Sequence, residues 1–126
     1  MSFRTPRILA TNHGSAGTGT HHWWVTRVTS VALIPLTVLA VLPFAGALGA
    51  DHDEVLEVYQ NPWNAIVTAL FLLTMFYHLM LGLQVVIEDY VHSKGWRTGL
   101  LLANQFFCVA FGFAGIFAVL KIAFTG

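Results

Sequence analysis

The stretch VYQNPWNAIVTALFLLTMFYHLMLGLQVVI, residues 58–87, runs for 30 residues without a formal charge. A helix needs about 20 predominantly apolar residues to cross the hydrocarbon core of a bilayer, so this stretch can span with residues to spare. Two further charge-free windows, Val28 to Ala50 and Thr98 to Leu120, contain 23 residues each. Over the 126 residues, hydrophobic side chains make up 56% and charged ones 10%, where a soluble domain carries about 25% charged. Mean hydropathy is +0.70. The runs are continuously apolar, which argues against a β-barrel, where lumen-facing and lipid-facing positions alternate. The composition predicts an all-α membrane protein with three transmembrane helices.

Local signals divide the chain. Residues 1–22 form a polar N-terminal segment with Gly14, Gly17 and Gly19 among Ser, Thr and His, too polar to bury a core of its own. His21, His22, Trp23 and Trp24 then meet the first span, where tryptophans anchor at the membrane interface. The three-helix membrane anchor occupies 23–126, with helices expected at about 23–45, 62–90 and 98–124. Pro35 predicts a kink in the first. The acidic run around Asp51 to Glu57 reads as a loop, and Asn61-Pro62 as an N-cap followed by proline at the first helical position. The first apolar core, Val25 to Leu42, exceeds the 7–15 residues, roughly, of a signal peptide, so this span is expected to be retained. Net charge is zero, which gives no indication of a nucleic-acid partner. A lone cysteine, Cys108, builds neither a disulfide nor a thiolate cluster.

Orientation follows from lysine and arginine. Arg4, Arg7 and Arg27 lie on the N-terminal side and Lys94 and Arg97 in the second loop, the first loop has none, and Lys121 stands alone near the C-terminus. The N-terminus and second loop are therefore expected in the cytoplasm of a bacterium, or in the matrix of a mitochondrion.

The second span then carries the chemistry. On a helix advancing 100° and 1.5 Å per residue, Gly82 lies about 40° round from His78, and Asp89 about 20° off the His78 direction and roughly 16 Å nearer the cytoplasm. An imidazole deep in the membrane needs a partner. A neighbouring helix satisfies it, and so does haem iron, with Gly82 leaving room for a flat macrocycle. The other histidines, at 13, 21, 22, 52 and 92, fall outside the spans, so a bis-histidine haem would take its second ligand from another polypeptide. Arg27 either snorkels to the interface or binds an anion such as a haem propionate. Asp89 and Tyr90 either meet water at the helix end or serve a quinone, the hydroxyl donating to a carbonyl oxygen and the carboxylate orienting it or relaying protons. Gly112 and Gly115, with Gly82, offer places for close helix approach.

At these residues the sequence resembles the type D membrane anchors of succinate dehydrogenase, the respiratory succinate:quinone oxidoreductase, in their proteobacterial form. The resemblance rests on His78, Gly82, Asp89 and Tyr90 within HLMLGLQVVIEDY, on HHWWVTRVTSVALIPL with Arg27 followed by Thr29, and on the three-span layout. It implies one half of a heterodimeric haem-binding helix bundle, with His78 as an axial ligand of a haem b shared with the type C membrane polypeptide and Arg27 near the propionates. It also implies that Tyr90 contacts ubiquinone, with Asp89 in support. The implied partners are that second membrane polypeptide, an iron–sulfur protein and a flavoprotein, assembled at the bacterial inner membrane, and the chain is expected to catalyse nothing alone. Two other classes fit the residues: an anchor of another b-type cytochrome oxidoreductase, and a small proton channel or transporter using His78 and Asp89. Against the channel, no inverted repeat is visible.

Overall fold

The computed structural model describes residues 16–125, with side chains from Gly19 onward. Among these residues four helices follow one another: α1 (Ala16–Ala47), α2 (His52–Gln60), α3 (Pro62–Tyr90) and α4 (Lys94–Thr125). Three of them, α1 from Gly19, α3 and α4, are long and apolar enough to cross a membrane. The part of the polar segment up to residue 15 lies outside the described residues.

α3 is the central element. It packs on α1 along one side and on α4 along another, while α1 and α4 make no contact with each other among the described residues. The spans thus form an open layer, with apolar faces turned outward. Ile34, Leu42, Trp63, Phe106, Phe113 and Phe117 are exposed, as they can be where the solvent is lipid. The buried positions are few and mostly small: Ala40, Ala65, Val67, Leu81 and Cys108, with Gly112. Lipid tails are as apolar as leucine, so helices associate through close packing of small residues and a few polar contacts.

Gly112 and Gly115 are where α4 meets α3. A Cβ added at Gly112 would lie 3.4 Å from Cβ of Phe76, and one at Gly115 only 3.1 Å from Cδ1 of Leu72. Both glycines are used inside the chain, whereas space around Gly82 is open. Asn104 Nδ2 donates to the Met80 carbonyl at 2.9 Å, and Cys108 Sγ donates to Asn104 Oδ1 at 3.4 Å, which adds a polar tie to the same seam.

The helix ends differ from the sequence expectation in three places. α1 begins at Ala16 instead of about residue 23, and continues through Pro35 and Pro43. The acidic connection is itself a helix, α2, because Val55, Leu56, Val58 and Tyr59 recur at helical spacing and are half-buried, while Asp53 and Glu54 occupy the first turn, the favourable end for anions. α2 touches all three spans and covers one end of the layer. Burial there raises the Tyr59 pKa above the ordinary phenol value. Finally, α4 starts at Lys94, earlier than about 98, and its first turn is held by Arg97, whose Nε donates to the Val91 carbonyl at 2.9 Å. At the other end of α3, Asn61 Oδ1 accepts from the Trp63 N–H at 3.0 Å, with Pro62 beginning the helix.

Candidate functional site

His78 lies well inside α3 and faces α1. Its Nδ1 is 2.8 Å from Oγ1 of Thr29, a side-chain hydrogen bond that joins α1 to α3. The contact forms because α1 and α3 run antiparallel, which brings residues 49 apart in sequence to one level. His78 makes no second hydrogen bond among the described residues, so Nε2, on the other edge of the ring, is uncommitted. α3 is uninterrupted from Pro62 to Tyr90, so His78, Gly82 and Asp89 share a face as regular helical spacing requires. The open space around Gly82 continues that face one turn from the imidazole.

Asp89 and Tyr90 occupy the last turn of α3, immediately before Val91 ends the helix. Both are exposed, Tyr90 at 78%, and neither side chain has a hydrogen-bond partner among the described residues. By contrast the neighbouring Glu88 is engaged, accepting from Gln84 Nε2 at 2.9 Å.

Arg27 is not brought to His78. It is exposed on α1 with its guanidinium 5.5 Å from the ring centroid of Trp23, a cation–π contact. Two residues from Thr29, it points about 160° away from the Thr29 direction round the helix. It makes no ion pair with Asp89 among the described residues, so the two sides of this candidate pocket are separate here.

Three features had no functional reading in the sequence. Thr29 is the partner of His78; in the sequence it entered only as part of the first-span motif that carries the resemblance, with no role of its own. His22, expected at the interface, has a buried Nε2 without a partner among the described residues, and it lies only about 20° round from Thr29 on α1. The Thr68 hydroxyl on α3 is likewise buried and unpartnered among the described residues. No three His, Cys, Asp or Glu side chains gather to hold a bare metal ion among the described residues.

The arrangement can therefore offer one imidazole nitrogen inside the membrane and, about three turns away, an exposed carboxylate and phenol at a helix end. Comparison with known proteins gives the family of the chain as a whole. Residues 1–117 match the family described as succinate dehydrogenase/fumarate reductase transmembrane subunit. The succinate dehydrogenase hydrophobic membrane anchor subunit of Paracoccus denitrificans is 36% identical over 118 residues, covering 94% of this chain and 88% of the relative. That of Rickettsia bellii is 37% identical over 118 residues, covering 93% and 94%. A succinate dehydrogenase membrane anchor subunit of Reclinomonas americana is 28% identical over 82 residues, covering 63% and 68%. No solved structure matches the chain. With the family match covering the first two spans and reaching into the third, the chain belongs to the succinate dehydrogenase/fumarate reductase transmembrane subunits, as a three-span membrane anchor of the succinate dehydrogenase kind.

Proposed function

We propose that this chain contributes one iron ligand, His78, to a b-type haem shared with a partner membrane polypeptide, and part of the site where ubiquinone is reduced, in a succinate:quinone oxidoreductase of the bacterial inner membrane. The observation that carries this is the Thr29–His78 contact. It engages Nδ1 and leaves Nε2 free, and Gly82, one turn along α3, has open space around it. A single intramembrane imidazole without a cluster of other donors suits a haem completed by a second polypeptide better than a bare metal ion. The open layer in which α1 and α4 stand apart leaves α3 accessible to that partner.

The residues divide the work. His78 Nε2 would hold the iron, Gly82 would leave space for the macrocycle, and Arg27, at the same end of the layer as Asp89, would be the cation for an anionic propionate that reaches its side of α1 once the guanidinium leaves Trp23. When bound, the haem supplies a one-electron redox centre within the membrane. At the cytoplasmic end of α3 the Tyr90 hydroxyl donates to a quinone carbonyl oxygen, which lowers the cost of the negative charge that develops there. Reduction to the quinol takes two electrons and two protons, and Asp89, exposed to water beside Tyr90, orients the phenol or relays a proton. Electrons arrive from soluble flavoprotein and iron–sulfur partners bound on the same side, where the N-terminal segment and the turn between α3 and α4 also lie.

The test is a reduced-minus-oxidised optical spectrum of the purified complex, wild type against His78→Ala. A b-type band that is reducible by succinate, and lost or strongly shifted in the variant with the spans still inserted, supports the reading. An unchanged spectrum with full haem content in His78→Ala refutes the ligand assignment. A b-type band that succinate cannot reduce points to another cytochrome oxidoreductase.

A further inference from the structure

Three hydroxyls lie on one stretch of α1. Thr26 donates to the His22 carbonyl at 2.8 Å, and Ser30 donates to the Thr26 carbonyl at 2.8 Å. Thr29 behaves like its neighbours in one respect, with Oγ1 at 2.9 Å from the Val25 carbonyl and 3.0 Å from the Thr26 carbonyl. It differs in also reaching across to Nδ1 of His78 at 2.8 Å.

A hydroxyl has one proton and two acceptor lone pairs. With its proton directed into the preceding turn, Thr29 has only lone pairs to offer the imidazole. The contact is then a hydrogen bond only if Nδ1 carries the proton, and a neutral ring protonated at Nδ1 has its free lone pair at Nε2. The β-branch of threonine restricts its χ1 rotation, so the acceptor is held in place before any ligand arrives.

We propose that Thr29 is a positioning residue for His78: its hydroxyl accepts from Nδ1–H, selects the tautomer with Nε2 free, fixes the rotation of the ring, and strengthens Nε2 as a donor. The assignment rests on the haem reading of His78. Partners that accept from the far nitrogen of a metal-bound imidazole raise its basicity, and losing one typically weakens metal affinity by about 10–100-fold. A more basic imidazole favours ferric over ferrous iron, so removing the acceptor should raise the midpoint potential. For a one-electron couple, each tenfold change in that preference corresponds to about 59 mV.

The experiment compares Thr29→Val, which keeps the shape and removes the hydroxyl, with Thr29→Ser, which keeps the hydroxyl, in the assembled complex. Haem content and the haem midpoint potential are read by redox titration followed optically. The expected result is a complex with the Val variant that binds haem about 10–100-fold more weakly, its remaining haem shifted to a more positive potential, by about 59 mV for each tenfold change in the ferric-over-ferrous preference, and a Ser variant with wild-type values. If Thr29→Val fails to assemble, Thr29→Ala set against Thr29→Ser makes the same comparison. Wild-type content and potential in the variant lacking the hydroxyl overturn the role of Thr29, and so does a Ser variant that matches it in its loss. Haem that persists unchanged in His78→Ala overturns the ligand assignment, and this role with it. Loss of haem there, together with no effect at Thr29, overturns this role alone.

Discussion

Replacing Tyr90 by phenylalanine removes one hydroxyl and keeps the ring. Tyr90 is 78% exposed at the end of α3 and its hydroxyl has no partner among the described residues, so the chain itself should lose less than about 0.5 kcal/mol, as at an ordinary surface position. Assembly and haem content should be unchanged. Any effect must come from what the hydroxyl meets outside this chain. One hydrogen bond to a neutral carbonyl is worth about 0.5–1.5 kcal/mol, which at 1.36 kcal/mol per tenfold is a loss of roughly two- to twelvefold in rate. A bond that strengthens as charge builds on the quinone oxygen falls in the range of about 1.5–3 kcal/mol for charged partners, a loss of up to roughly two orders of magnitude. The assay is a pair of turnover measurements on one preparation, succinate to quinone, and succinate to an artificial acceptor that takes electrons from the soluble partners. Quinone turnover should fall and the artificial-acceptor rate should hold. If both rates fall together, Tyr90 is an assembly residue; if neither falls, it is an interface tyrosine and the quinone assignment is wrong.

The glycines separate effects inside the chain from effects in the complex. Gly115→Leu forces bulk into a seam where even a Cβ would come within 3.1 Å of Leu72; overpacking of this kind costs about 1–3 kcal/mol, and a lowered unfolding temperature of the membrane dimer should report it. Gly82→Leu enters open space within this chain, so its three spans should insert normally while haem content in the complex falls; normal haem content would show that the Gly82 face is not where the macrocycle lies. Expressed without its membrane partner, the chain should be unstable or haem-free, and recovery of a stoichiometric haem complex from this polypeptide alone would contradict the shared site.

Length and apolarity of the spans were legible in the sequence because transfer into lipid is close to a sum over residues: a run such as residues 58–87 needs no knowledge of its neighbours to be read as membrane-spanning. The helical face of His78, Gly82 and Asp89 was legible for a similar reason, since it depends only on the repeat of one helix. The α2 helix was not, because its acidic residues Asp53, Glu54 and Glu57, following Asp51, outweighed the spacing of Val55, Leu56, Val58 and Tyr59, and a nine-residue helix is marginal until it packs on something.

What only the tertiary structure decided is how the spans sit against one another. All three are apolar on every side, so hydropathy does not say which face of one helix prefers another, or prefers lipid. The choice falls to small residues and a few polar atoms: Gly112 and Gly115 against Phe76 and Leu72, Asn104 on the Met80 carbonyl, and Thr29 on His78. Arg27 shows the same limit. The sequence set it at the same end of the layer as Asp89, but its azimuth on α1 turns it toward Trp23 and away from the histidine. By itself, then, the sequence determined that this protein is a three-span membrane helix protein with one deep imidazole, because burial in lipid and helical periodicity are local properties. The partner that holds that imidazole comes from a residue 49 positions away, and only packing of α1 on α3 could choose it.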